Sequence, residues 1–208
     1  MSAPTPIPIL VRAAIIDLSF PHTWEAEILS ARPLILPQRH SVYPRDAEEV
    51  EKGALEVMVY AKQSSVAESK GSLDGRSFLA TCALGFRDPG VPTGLWSCPK
   101  PEEICAVAGG YAYVIDTATP ERFTMIPYRP VLQVRAVLEQ DLLLFVGHRS
   151  ILAWGAQGQA WESGKLSDEG IVITSVENGV LHGRGWQMLT DLETPFSIDL
   201  RTGSFLTR

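Results

Sequence analysis

The densest group of side chains able to do chemistry lies in PQRHSVYPRD, residues 37–46. Arg39 and Arg45 carry guanidinium groups that bind a carboxylate or phosphate through paired hydrogen bonds, and His40 exchanges a proton near neutral pH. Tyr43 adds a hydroxyl. These four are the candidate ligand-binding residues, and a pocket lined by them would suit a small-molecule or sugar-processing enzyme. The alternative is a loop whose arginines pair with the acidic residues that follow.

Other patterns of catalytic or metal-binding residues are absent from the sequence. It contains no G-x-S-x-G elbow, no Walker glycine loop, no H-x-H or H-E-x-x-H pair and no carboxylate cluster of the calcium type. The sequence therefore predicts no catalytic residue, no metal and no cofactor, and it favours a non-enzymatic role.

Three cysteines occur, at Cys82, Cys98 and Cys105. An odd count without a repeated C-x-x-C favours reduced thiols in a cytoplasmic protein, although Cys98 and Cys105 could instead meet across a hairpin as a redox pair. The N-terminal apolar run has no basic segment before it and is interrupted by Arg12 and Asp17. We therefore expect neither a signal peptide nor a membrane span, and a cytoplasmic location.

Composition limits the class of partner. The 208 residues are 45% hydrophobic and 20% charged, which is enough apolar material for a packed core. The formal net charge of −6 and the lack of any basic run argue against nucleic-acid binding. An acidic surface would instead suit a basic protein partner.

The elements that must position these residues are predicted to be β-strands. The firmest prediction is a hairpin in which IVITSV (171–176) runs to an Asn178-Gly179 turn and VLHGRGWQM (180–188) returns, since Asn-Gly favours a type I′ turn. In that register Val176 faces Leu181, and Thr174 faces Gly183.

Further strands precede and follow this hairpin in sets of about four. The predicted strands after residue 90 are 94–98, 102–108, 111–116, 122–126, 131–137, 141–147, 150–155, 159–163, 195–200 and 204–208. Asp116, Gly155 and Asp199 stand at equivalent turns, where Asp accepts backbone N–H bonds two residues further on. Four-stranded antiparallel meanders repeated every 40 to 45 residues or so are typical of β-propeller blades.

The N-terminal part supplies four more strand-like runs, at 8–18, 24–36, 54–61 and 77–86, and a short helix is predicted near 44–52. The predicted fold is a single all-β, propeller-like domain over 1–208, and an incomplete or irregular ring is left open as an alternative to a closed one. Residues 1–76 contain the N-terminal strands and the helix, and 77–208 contain the blade-like units.

Trp154 and Trp161 flank a turn in ILAWGAQGQAWESG, residues 151–164. A two-residue turn at Gln157-Gly158 would place the two indoles side by side. We favour a type I turn with Gly158 in the left-handed region and a bulge, which puts Ala160 opposite Trp154 and sends the indoles to opposite faces. The two rings are then predicted to pack against different neighbouring sheets.

Three segments carry a resemblance to a known family: RPLILPQRHSVYPRDAEEVEKGALEV, GLWSCPKPEEICAVAGGYAYVIDT and ILAWGAQGQAWESGKLSDEGI. Over residues 32–203 the chain resembles an uncharacterised bacterial family of β-rich, propeller-like proteins. The resemblance implies a fold and no activity. With the acidic composition, it leads us to expect a binding or protein-interaction module, or a self-associating protein whose open sheet edges pair with another copy.

Overall fold

A computed structural model describes residues 14–45, 53–61 and 77–206. These residues form β-strands joined by turns and loops, with one 3-10 turn at Leu138–Gln140. The strands are β1 Ile15–Asp17, β2 Trp24–Leu29, β3 His40–Tyr43, β4 Ala54–Ala61, β5 Ser77–Ala83, β6 Gly94–Ser97, β7 Glu103–Ala108, β8 Tyr111–Asp116, β9 Phe123–Met125, β10 Gln133–Val137, β11 Leu142–Val146, β12 Ile151–Gly155, β13 Gly158–Glu162, β14 Ile171–Glu177, β15 Val180–Gln187 and β16 Leu192–Asp199. The predicted all-β class is confirmed for this part of the chain.

The described strands form four sheets, which we number I to IV. Sheet I has the order β2-β4-β5-β3, sheet II has β1-β6-β7-β8-β9, sheet III has β10-β11-β12-β13, and sheet IV has β14-β15-β16. Strands β1 and β3 join the edges of their sheets in parallel, and the other neighbours are antiparallel. The strands predicted between residues 94 and 163 correspond to β6–β9 and β10–β13.

Three buried clusters lie between consecutive sheets, so that the sheets pack in series. Cluster 1 joins sheets I and II and includes Trp24, Phe78, Ile104 and Tyr113. Cluster 2 joins sheets II and III and includes Trp96, Val107, Leu143 and Phe145. Cluster 3 joins sheets III and IV and includes Leu144, Ile151, Leu181 and Ile198. Since none of the three joins sheet IV to sheet I, the described series has two ends.

The near-continuous apolar runs of the inner sheets follow from this stacking. Residues of β7, β8, β11 and β12 are buried on both faces of their sheets, where regular polar alternation would place unpaired polar groups in the core. Sheet IV, at one end of the series, alternates more: β14 has exposed residues between half-buried ones.

The predicted hairpin at Asn178-Gly179 is present, and both residues have positive φ, 51° and 74°. Val176 pairs with Leu181 as predicted, but Thr174 does not face Gly183, because Ile173 takes that place and the strand bulges at Thr174. The bulge changes the phase of the strand, so that Ile173 and Val176 both pack on cluster 3. Burial of these aliphatic side chains explains the departure from a regular register.

The tryptophan hairpin also has the predicted form. Gly158 has a φ of 102°, and Trp154 packs in cluster 2 while Trp161 packs in cluster 3. One detail was wrong: Trp154 faces Gln159, because the extra residue is Ala160, one step further from the turn. The indoles therefore lie on opposite faces of sheet III, one in each of the two buried clusters that flank this sheet.

The N-terminal elements differ from the prediction. The run 24–36 ends as a strand at Leu29, because Pro33 and Pro37 disfavour a regular strand in the segment that follows. Residues 44 and 45 form a bend, and the remainder of the predicted helix, 46–52, lies outside the described residues, as does 8–13 of the first predicted strand.

Candidate functional site

The four candidate residues from the sequence do not converge on one pocket. Strand β3 separates them, since its side chains alternate between the two faces of sheet I. Tyr43 points into cluster 1 and is 1% exposed, whereas His40 lies on the outer face beside Thr81. Arg39 and Arg45, at the two ends of the strand, reach across to sheet II.

Arg39, Tyr43 and Arg45 all donate to backbone carbonyls of one turn between β8 and β9. The acceptors are the carbonyl oxygens of Ala118 at 3.5 Å, Pro120 at 2.7 Å and Glu121 at 3.0 Å, in that order. Burial raises the pKa of the Tyr43 hydroxyl, so the group stays protonated and can donate its hydrogen bond. These donors join sheet I to sheet II.

A small pocket of about 200 Å³ opens beside this contact, lined in part by Tyr43, Arg45, Glu121 and Phe123. Its volume is below the range of about 300–1,000 Å³ that small-molecule sites occupy. The Tyr43 hydroxyl, which would face a ligand, already donates its hydrogen bond to the Pro120 carbonyl.

His40 belongs to a separate polar network on the outer face of sheet I. Thr81 donates to Glu56 Oε2 at 2.5 Å, and His40 Nε2 lies 2.9 Å from Thr81 Oγ1. Arg32 reaches Thr81 Oγ1 at 3.3 Å and Glu56 Oε1 at 3.5 Å. The buried Glu56 carboxylate is thus both hydrogen-bonded and paired with a cation, as a buried charge requires.

The charge state of His40 follows from this setting. Burial lowers its pKa first and the Arg32 cation lowers it further, while the Glu56 carboxylate acts in the opposite direction. The imidazole is therefore neutral at neutral pH, where it sits beside Arg32 without repulsion.

The network anchors a loop that sequence reasoning missed. Residues 30–39 connect β2 to β3, and Arg32 fastens the loop to the outer face of sheet I. At its centre Leu34 is fully exposed and Ile35 is 88% exposed. We call Pro33–Pro37 the apolar loop. Its sequence, PLILP, resembles a strand, and only the flanking prolines signal that the aliphatic side chains stay outside a sheet.

A second exposed surface lies beside β16, the last strand of sheet IV. A groove of about 350 Å³ opens there, and its apolar lining includes Leu166, Phe196, Phe205 and Leu206, with Thr194 on its rim. Among the described residues, only the short segment from Ser204 to Leu206 pairs with β16 on that side, opposite Ser197 to Asp199. The rest of that edge of β16 has no described neighbouring strand. We call this the β16 groove.

The three cysteines are free and buried. Burial raises the pKa of each thiol, so they are protonated and poorly reactive at neutral pH. In the described part of the chain no group of three His, Cys, Asp or Glu residues is placed to hold a metal ion. Over the same residues there is no helix with the length and apolar character needed to cross a membrane.

Comparison with known proteins leaves the site to be interpreted from its own geometry. No family model matches the chain, and no curated protein sequence matches it.

Proposed function

We propose that this chain is a non-enzymatic, cytoplasmic protein-interaction module that binds its partner through the apolar loop. The observation that carries the proposal is the exposure of Leu34 and Ile35, two adjacent aliphatic side chains that no described residue covers. A lone exposed leucine is ordinary on a protein surface, but a fully projecting pair at the centre of an anchored loop is typical of a binding site.

The way the loop is held supports binding. Pro33 and Pro37 restrict the backbone on either side of the aliphatic pair, and the Arg32–Glu56 contact fastens the base of the loop. A loop ordered before binding loses less conformational entropy when a partner docks. Burial of Leu34 and Ile35 would each contribute about 1.5–3 kcal/mol, the scale of an interface hot spot.

The stacked sheets serve, in this proposal, as a propeller-like scaffold of blades of the kind that the resemblance to the bacterial family implies. Loops on such a rigid scaffold carry function while the core carries stability. The enzymatic alternative has less support for two reasons. His40 lies apart from the other three residues, on the outer face of sheet I, and Arg39, Tyr43 and Arg45 already donate to backbone carbonyls of one turn.

The test is affinity capture with the tagged protein and two variants. Leu34→Asp places a charge at the centre of the apolar loop, and Leu138→Asp is the matched control, an exposed leucine of the 3-10 turn. We expect a stoichiometric protein partner, which can be a further copy of the chain, to be retained by the wild type and by Leu138→Asp and lost from Leu34→Asp. Equal capture by all three proteins would contradict the proposal.

A further inference from the structure

We infer that His40 is a pH-sensitive switch for the apolar loop: when its imidazole takes up a proton, Arg32 is released from Glu56 and the loop is freed from the outer face of sheet I. The inference rests on the proposed function and concerns the regulation of the same binding surface. Three observations support it: the contacts that fasten the loop, the hydrogen atoms available within the polar network, and the exposure of the Arg32 side chain.

Arg32 is the residue that fastens the apolar loop. Among the described residues, the hydrogen bonds and the ion pair of the segment 30–38 are those of Arg32. Its Nε lies 3.5 Å from Glu56 Oε1. One terminal nitrogen of the guanidinium lies 3.3 Å from Thr81 Oγ1 and 3.2 Å from His40 Nε2. Loss of these contacts would leave the centre of the loop without a polar contact to the sheet.

The protonation state of His40 decides which neighbour its Nε2 atom can bind. The Thr81 hydroxyl has one hydrogen, which it donates to Glu56 Oε2 at 2.5 Å, so its oxygen can only accept from His40 Nε2 at 2.9 Å. In the neutral imidazole, Nε2 can be without a hydrogen and accept from the Arg32 guanidinium at 3.2 Å. In the imidazolium, both ring nitrogens carry a hydrogen, so Nε2 can no longer accept from Arg32. Protonation therefore exchanges the Arg32 contact for a hydrogen bond from His40 to Thr81.

The charges around His40 favour this exchange. In the described part of the chain, the elements packed against it contribute one cation, one carboxylate and two uncharged side chains: Arg32 of the loop, Glu56 of β4, and Leu79 and Thr81 of β5. Glu25 and Glu27 of β2 share this face, but β4 and β5 separate them from β3. A proton on His40 would place two cations 3.2 Å apart beside one carboxylate, and their repulsion favours the departure of one of them.

Arg32 is the cation that can leave. Its side chain is 43% exposed and the Glu56 side chain is 8% exposed, so the carboxylate stays in the sheet while the guanidinium can return to water. Burial and, to a smaller extent, the Arg32 cation lower the pKa of His40, while the Glu56 carboxylate raises it. His40 is therefore neutral near neutral pH and takes up its proton below its usual pKa of 6.5. The loop is thus ordered for its partner near neutral pH and mobile in acid, where ordering it would cost affinity.

The experiment is NMR spectroscopy of the full chain between about pH 7.5 and about pH 5. The ring resonances of His40 report its protonation, and the backbone order parameters of Leu34 and Ile35 report the mobility of the loop. In the wild type we expect order parameters to fall from about 0.85, typical of rigid backbone, to below about 0.6, with the same midpoint as the His40 titration. A loop that stays ordered after His40 has taken up its proton overturns the inference, and this test needs no variant.

Three variants show whether His40 acts through its proton. His40→Gln cannot take up a proton and should keep the loop ordered over the whole pH range. His182→Gln is the matched control and should respond like the wild type, because His182 also contacts a hydroxyl, that of Ser197 at 2.9 Å, but lies in sheet IV. Arg32→Gln should have a mobile loop at every pH and a higher His40 midpoint, since the cation no longer opposes protonation. Equal loss of loop order in His40→Gln and in the wild type overturns the inference.

Failure of this inference is distinguishable from failure of the proposed function, because the NMR measurement needs no partner. If Leu34→Asp loses the partner but the wild-type loop stays ordered in acid, the proposed function stands and the switch fails. If the loop becomes mobile with the His40 titration but Leu34→Asp captures the partner like the wild type, the switch stands and the proposed function fails. If both are right, capture by the wild type should be lost at about pH 5 and capture by His40→Gln should be retained.

Discussion

At the residue scale, hydrogen-bond donors of the kind that bind ligands are used here to hold the protein's own backbone. Arg39, Tyr43 and Arg45 each donate to a carbonyl of the turn between β8 and β9, and Asp116 accepts from the N–H groups of the same turn. The carbonyls of a turn cannot all be paired within a sheet, so side chains from the neighbouring sheet satisfy them.

Replacement of Tyr43 by Phe should lower the free energy of unfolding by about 1–3 kcal/mol, because the buried Pro120 carbonyl loses its donor. Chemical denaturation of the variant measures the loss. Tyr60→Phe is the control, since Tyr60 is exposed, and it should change stability by less than about 0.5 kcal/mol. An equal loss in both variants would show that the Tyr43 hydrogen bond contributes little.

His40 should make stability depend on pH. Its pKa is lowered in the folded state by burial and by Arg32, so the unfolded chain takes up the proton first as the pH falls. The contribution is fully present above about pH 6.5 and is lost as the pH falls toward the lowered pKa. Denaturation from about pH 7.5 to about pH 5 should show a shallower fall for His40→Gln than for the wild type. Identical slopes would contradict the assignment.

At the element scale, bulges and glycines decide which side chains reach which cluster. The bulge at Thr174 turns Ile173 and Val176 toward cluster 3, and the one at Ala160 separates Trp154 from Trp161. The turn after β16 brings Gly203 against the Trp161 ring, whose Nε1 donates to the Leu200 carbonyl at 2.6 Å. Sheets III and IV are thus joined by an indole that rests on a glycine.

Gly203→Ala should be clearly more destabilising than Gly170→Ala. Both glycines have positive φ, +71° and +86°, so each substitution has the backbone strain of a non-glycine residue, about 1–2 kcal/mol. Only at Gly203 would the new Cβ lie 2.6 Å from the Trp161 ring, whereas at Gly170 it meets nothing within 4 Å. Thermal and denaturant unfolding of the two variants isolate the clash, which we expect to add at least about 1 kcal/mol. Equal losses would mean that Trp161 moves aside freely.

At the scale of the whole molecule, the stack has two unlike ends. Clusters 1 to 3 join each sheet to the next, and no described cluster joins sheet IV to sheet I. On the outer face of sheet I, Leu79 and Thr81 of β5 are nevertheless fully buried. The exposed apolar side chains at these ends include Leu34 and Ile35 at one and Phe205 at the other.

The sequence by itself determined the class of the fold and most strand positions. The spacing of hydrophobic residues, the turn residues and the apolar runs that indicate strands are all local properties of the chain. Asn178-Gly179 selects a hairpin, and Asp116 and Asp199 accept from backbone N–H groups two residues on, as expected from their types. The location of the Trp154 and Trp161 rings on opposite faces also followed from local turn chemistry.

Only the tertiary structure decided what the candidate residues do. Whether Tyr43 faces a ligand or the Pro120 carbonyl depends on the β8–β9 turn of sheet II, in which Pro120 lies 77 residues further along the chain. Likewise, PLILP has the composition of a buried strand, and its exposure depends on whether any sheet lies opposite to cover it. Local sequence encodes the conformation of a segment, but burial and partnership depend on which distant segments pack against it.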